Sequence, residues 1–191
     1  FFSFLLLSYI MLERLYCPDF STVLGREFRN PFEYPKIDTL LWPTLKDIEH
    51  DSRGKALLGL TSQDGHPLFY RRGLDISSLV TELKCSDLDG ACMQAINLNE
   101  KYGISTKTVI SYAENYPSLV FPIASPRCTA QGVNEFEKNA EKVVAAVLYP
   151  TYQGLNLSKP GKHLNQILEI CTKNALPVKI DLGNMYLPNN D

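Results

Sequence analysis

The chain has 191 residues, 45% hydrophobic and 21% charged, which is enough apolar material for a packed core and excludes global disorder. Its net charge is -2 and its basic residues are scattered, with Arg71-Arg72 the densest pair; this excludes a general nucleic-acid binder, since neutralising phosphates takes clustered cations. The five cysteines are odd in number and lack C-x-x-C spacing, so neither a disulfide framework nor a zinc knuckle is indicated, and reduced thiols in a cytoplasmic setting are expected.

The apolar start, FFSFLLLSYIML, is shorter than the about 20 residues that span a bilayer. It also lacks the basic region and cleavage site of a signal peptide. Met11 precedes an ordinary polar stretch, so a fragment boundary or upstream translated sequence is preferred over a membrane anchor. Residues 1–35 hold turn signals at Cys17-Pro18-Asp19 and Asn30-Pro31 but no sustained period, and are read as an N-terminal extension.

Residues 36–191 carry the regular pattern. Lys36 to Trp42 reads as a strand closed by Pro43. Thr44 to Gly73 reads as a long polar connection, with a short hairpin expected around Asp64-Gly65 between Leu57–Leu60 and Leu68–Tyr70. Asp75 caps a helix with Ile76, Leu79, Val80 and Leu83 on one face. Gly90 to Ile96 is the next strand. Ser105 caps a helix carrying Val109, Ile110 and Ala113, and Leu119 to Ala124 is a third strand. Gly132 to Lys142 forms a helix with Val133, Phe136 and Ala140 inward, followed by the fourth strand, Val143 to Leu148. A loop from Thr151 to Gly161 leads to a helix with Leu164, Ile167, Leu168 and Cys171 at i, i+3, i+4 and i+7, and then to the strand Pro177–Leu182. This last strand–helix–strand segment is a βαβ unit, which forces parallel pairing with a right-handed crossover.

Strands alternating with helices mean an α/β fold. Five strands suit an open doubly wound sheet, or part of a (β/α)8 barrel, which takes eight units. Neither Gly-x-Gly-x-x-Gly nor a phosphate-loop motif occurs, so the nucleotide-binding versions of the open sheet lack their signature.

Four stretches carry a family likeness. Ile37 to Trp42 (IDTLLW) is similar to Ile-Asp-x-His-x-His. Asp75 to Ile96 resembles a helix followed by a small-residue second strand. Tyr116 to Phe121 resembles Tyr-Pro-x-Arg-Phe. Ala145 to Pro150 and Leu176 to Gly183 resemble Gly-Val-Lys-Leu-Tyr-Pro and Leu-Pro-Val-x-Ile-His-Thr-Gly. In this order they resemble the amidohydrolase-related barrels, mostly metal-dependent hydrolases and decarboxylases. The resemblance implies an incomplete (β/α)8 TIM-like barrel of about five parallel strands with flanking helices. It places the family's metal-binding positions on Leu40, Trp42, Val147 and Asp181. Leu, Trp and Val offer no imidazole, thiolate or carboxylate, so no metal and no other cofactor is expected. What remains is a degenerate or metal-independent hydrolase acting on a C–O or C–N bond of a small carboxylate or lactone; pyrone-dicarboxylate lactonases are relatives that also lack a metal. The alternative is a non-catalytic binding or assembly subunit, since an unpaired fifth strand calls for a partner chain or a missing C-terminal half. No nucleic-acid or membrane partner is expected.

The candidate residues follow from strand alternation within that barrel. If Asp181 faces inward, so does Lys179, two residues earlier. An ammonium in an apolar interior needs a partner, and contact with Asp38 or Asp181 is expected. In the functional reading Lys179 polarises a substrate oxygen and Asp181 moves a proton. In the structural reading they form an ion pair, or Lys179 sits at an exposed sheet edge. Asp38, Trp42 and Tyr149 are the candidate substrate-binding residues, Trp42 as a plug of the barrel mouth and Tyr149 as a hydroxyl at its rim. His50, His66 and His163 have no metal-ligand spacing.

Overall fold

The computed structural model describes residues 35–41, 52–63 and 75–182. Strand β1 (Ile37–Leu41) is followed by helices α1 (Ser52–Gln63) and α2 (Ile76–Cys85), then by β2 (Gly90–Gln94). A two-strand hairpin, β3 (Ile96–Asn97) and β4 (Gly103–Ile104), precedes α3 (Thr106–Asn115). The order continues β5 (Val120–Ala124), α4 (Ala130–Asn139), a 3-10 turn (Ala140–Lys142), β6 (Ala145–Leu148), the one-turn helix α5 (Pro150–Gln153), α6 (Lys162–Lys173) and β7 (Val178–Ile180).

Helix starts follow side-chain chemistry. Asp75 Oδ1 accepts from the Ser78 N–H at 2.9 Å, Ser105 Oγ from Thr108 N–H at 3.1 Å, and Thr129 Oγ1 from Gly132 N–H at 3.1 Å. Each satisfies an N–H that has no partner inside the helix. Hydrogen bonds from the Ser77 hydroxyl and from the Ser78 backbone and hydroxyl hold Asp75 down to about 2.

The main sheet runs β1-β2-β5-β6-β7, every pair parallel. Spatial order equals chain order, so each crossover returns to the neighbouring strand. A doubly wound sheet would reverse its order partway and carry helices on both faces. The five strands instead curl into a half-barrel with helices outside.

Alternation gives the strands two faces. Toward the helices, Ala124, Ala146 and Leu148 pack with Val133, Phe136, Leu164 and Ile167. On the inner face the register aligns Cys92 with Phe121, Gln94 with Ile123, Ile123 with Ala145, and Val147 with Lys179. Gly90 belongs to this face: a Cβ there would lie 2.6 Å from Phe121 Cε2 and 3.0 Å from Leu119 O, so the ring occupies the space any larger residue needs.

Several expectations are corrected. Leu57 to Leu60 lies inside α1, not in a hairpin strand; in α1 it follows Arg53, whose side chain anchors this helix to the β3–β4 hairpin. Asp64-Gly65 and Leu68–Tyr70 lie outside the described residues, as does the N-terminal extension up to residue 34. The segment Gly90–Ile96 splits into β2 and the start of the hairpin, because Ile96 turns to pair antiparallel with Ile104. The Thr151–Gly161 loop begins in α5, whose chain reverses at Gly154 with φ +63°, a left-handed conformation that glycine adopts without a Cβ clash. Leu168 is 37% exposed; Leu164, Ile167, Ile170 and Cys171 form the buried row of α6 instead.

Candidate active site

The inner face carries one polar cluster. Gln94 is fully buried, and its amide nitrogen donates to the Tyr149 hydroxyl while its carbonyl oxygen accepts from Lys179 Nζ at 3.0 Å. Tyr149 follows the last residue of β6, is itself buried, and its hydroxyl is 3.5 Å from Ala95 O. Burial pushes the phenol well above its usual range; the Gln94 bond opposes this and the charge of Asp181 adds to it. Three strands, β2, β6 and β7, therefore meet through side chains at the centre of the half-barrel. A buried amide bridging an ammonium and a phenol satisfies groups that would otherwise be desolvated without partners.

A second polar seam runs along the carboxyl ends of the strands. Asn97 Nδ2 donates to Ser125 O at 3.0 Å, and Asn97 Oδ1 accepts from Arg53 Nη2 at 2.7 Å. Gln153 Nε2 donates to Asn97 O at 2.8 Å, while Gln153 Oε1 accepts from the Tyr149 N–H at 3.3 Å. The seam ties α1, the β3–β4 hairpin, the end of β5 and α5 into one floor.

Above that floor lies a cavity of about 540 Å³, where the loops of a β/α barrel build active sites. Arg127, Lys159, Lys162 and His163 line it, with Tyr152 and Cys128 among its other walls. Arg127 is held by both oxygens of Glu100 at 2.9 Å. Lys159 and Lys162 have no ion-pair partner among the described residues. Helix α6 opens into the same cavity through Gly161, Lys162, His163 and Leu164, and no side chain caps it. An uncapped helix start beside unpaired lysines favours a negatively charged ligand. Burial, followed by the charge of Asp181, raises the Tyr152 phenol; the Asp181 carboxylate thus acts electrostatically on a residue of the cavity wall.

Lys179 and Asp181 both lie on β7 or its end and are half-buried, but neither lines the cavity. The ammonium of Lys179 is bonded to Gln94, not to Asp38 or Asp181 as expected, because Gln94 reaches it from β2. Asp38 is half-buried on the edge strand; its charge is the lesser of two causes, after burial, that push the Cys92 thiol up to about 12. Tyr149 is buried below the rim where its hydroxyl was expected. Trp42 lies outside the described residues. Gln94 was missed by the sequence reading, although a lone amide in the apolar run GACMQAI was its signal.

The residues do not fit the metal centre implied by the amidohydrolase resemblance. Leu40 is 47% exposed on β1 and Val147 is buried in the inner face; both are hydrocarbon. Among the described residues no group of three or more His, Cys, Asp or Glu side chains is placed to hold a metal. No described helix is long and apolar enough to cross a membrane.

No protein-family model matches the chain, and no curated protein matches it in sequence. Two solved structures are similar in fold. An uncharacterised TIM-barrel protein from Bordetella bronchiseptica superposes with a TM-score of 0.58 at 16% identity, over 82% of this chain and 58% of that one. A probable 2-pyrone-4,6-dicarboxylic acid hydrolase from Acinetobacter baumannii, solved with citric acid bound, gives a TM-score of 0.48 at 17% identity, over 77% of this chain and 49% of that one. The chain thus spans little more than half the length of the Bordetella barrel, and that likeness establishes the TIM-barrel fold.

Proposed function

We propose that this half-barrel is a metal-independent, hydrolase-like protein that takes a small carboxylate- or lactone-type substrate at its mouth. The observation that carries the reading is the 540 Å³ cavity at the carboxyl ends of the strands, with Lys159, Lys162 and the uncapped start of α6 on its wall. Hydrolysis requires the carbonyl of a carboxylate anchored there to extend beyond the cavity wall to β7, since Lys179 and Asp181 stand outside that wall. Lys179, held by Gln94, supplies a positive charge to the carbonyl oxygen as a tetrahedral intermediate forms. Asp181 accepts a proton from the attacking water, the C–O bond of the ester or lactone breaks, and the leaving oxygen takes the proton. Tyr152 joins the two parts, since it lines the cavity and feels the charge of Asp181. Tyr149 positions Gln94, and Asp38 is the first strand's candidate for a substrate contact.

The test is a panel of small esters and lactones, assayed with the purified full chain and with Lys179→Met and Asp181→Asn. Turnover by the wild type that falls at least a hundredfold in both variants supports the assignment, the scale of a lost acid–base or oxyanion group. If Lys179→Met melts higher than the wild type and binds a dicarboxylate equally well, Lys179 is structural. A second reading, a non-catalytic binding or assembly subunit, is favoured by β7, where Ile180 is 48% and Leu182 71% exposed beside a strand whose described pairing is with β6 alone. A concentration-dependent dimer in sedimentation, lost in Ile180→Lys, together with an inactive panel, selects that reading.

A further inference from the structure

A second cavity lies on the other side of the polar seam, between α3 and α4, and takes no part in the proposed hydrolysis. Its volume is about 90 Å³, and its walls include Arg53, Ser105, Thr106, Ser125, Glu135 and Phe136. At roughly 30 Å³ per water molecule that is space for one small polyatomic ion and too little for a metabolite.

Three features converge on it. Ser125 is 2% exposed, and its hydroxyl oxygen is buried with no hydrogen-bond partner. Its neighbours are fully engaged elsewhere: Ser125 N–H donates to Thr106 Oγ1 at 3.1 Å, and Ser125 O accepts from Asn97. A buried hydroxyl without a partner costs free energy that a ligand oxygen would recover. Second, α3 begins at the cavity. The Ser105 cap takes up the Thr108 N–H, which leaves the N–H groups of Thr106 and Lys107 without an intrahelical partner at the positive end of the helix dipole. Third, the part-buried Arg53 guanidinium stands on the wall, oriented by its bonds to Asn97 Oδ1 and Asn99 O. The opposing charge, Glu135, is exposed, so water screens it far more than it screens the interior donors.

We propose that this cavity binds one inorganic oxyanion of phosphate size, held by the start of α3, the Ser125 hydroxyl and the Arg53 guanidinium. The bound ion would tie the end of β5 to α1 and the β3–β4 hairpin, and so brace the floor of the larger cavity. The residues differ from those proposed for hydrolysis, so either assignment can fail without the other.

The experiment is thermal melting of the full chain in sodium phosphate against sodium chloride at matched ionic strength. The wild type is expected to show a saturable rise in Tm. Ser125→Ala removes an unpartnered hydroxyl, so it should fold at least as stably as wild type in chloride, yet bind phosphate about tenfold more weakly, the worth of a hydrogen bond to a charged group. Glu135→Gln, at an exposed site, should bind phosphate more tightly by a few-fold. A phosphate response that is unsaturable, or identical in wild type and Ser125→Ala, is generic salt stabilisation and overturns the proposal.

Discussion

The helix-covered face and the inner face of the sheet come from the same strands but from different chemistry. Outside, Ala124, Ala146 and Leu148 meet Val133, Phe136, Leu164 and Ile167 in an apolar layer. Inside, Cys92, Phe121, Ile123 and Val147 surround Gln94, Tyr149 and the reach of Lys179. The outer layer is held by area removed from water, which depends on shape and volume alone. The inner cluster is held by hydrogen bonds among desolvated groups, whose cost when broken exceeds their worth when made. The outer face can therefore change by graded losses, whereas the inner one depends on each partner being present.

The largest expected effect tests the outer layer. Ile167→Ala, at a fully buried position of α6, should lower unfolding stability by about 2–5 kcal/mol in urea titration. A loss under 1 kcal/mol would show that α6 contributes little to the core. Next is the inner cluster: Gln94→Leu leaves the Tyr149 hydroxyl and the Lys179 ammonium without their bridge, and should cost about 1–3 kcal/mol despite added apolar surface. Combining it with Tyr149→Phe should cost less than the sum of the two single changes; strict additivity would mean that the two side chains are energetically independent.

The third prediction uses pH to separate the faces. The Cys92 thiol is raised to about 12 in the folded chain, above its unfolded value of about 8.5. Its contribution is therefore fully present below about pH 8.5 and is lost as pH rises toward 12, at up to about 1.4 kcal/mol per pH unit. Melting from pH 8 to 11 should show the wild type losing stability faster than Cys92→Ala. Parallel curves would mean that this thiol titrates freely. The smallest effect lies where α6 ends: Ala175 has φ +49°, so Ala175→Gly relieves left-handed strain and should raise stability by about 0.5–1 kcal/mol, partly offset by unfolded-chain entropy. An unchanged or lower Tm would place the strain elsewhere.

The elements differ in how far their residues announced them. Asp75 and Ser105 marked helix starts because a capping side chain acts on its own next three residues. The βαβ order from Ala145 to Ile180 was visible because the period of an apolar face is local. Leu57 misled because the polar stretch around it gives α1 almost no apolar stripe, and that helix is anchored by Arg53 reaching Asn97 and Asn99, far along the chain. The β3–β4 hairpin was missed because two-residue strands leave no period to read.

By itself, the order of apolar runs and caps determined an α/β chain with parallel strands, since both rest on contacts within one element or between neighbours in sequence. The family resemblance carried by four short stretches already implied the incomplete barrel; only the tertiary structure decided that Gln94 rather than an aspartate receives Lys179, and that cationic side chains from separate loops share one cavity. Those outcomes join residues up to 85 positions apart, and no local pattern encodes which of several polar groups a long side chain will reach once the strands have curled.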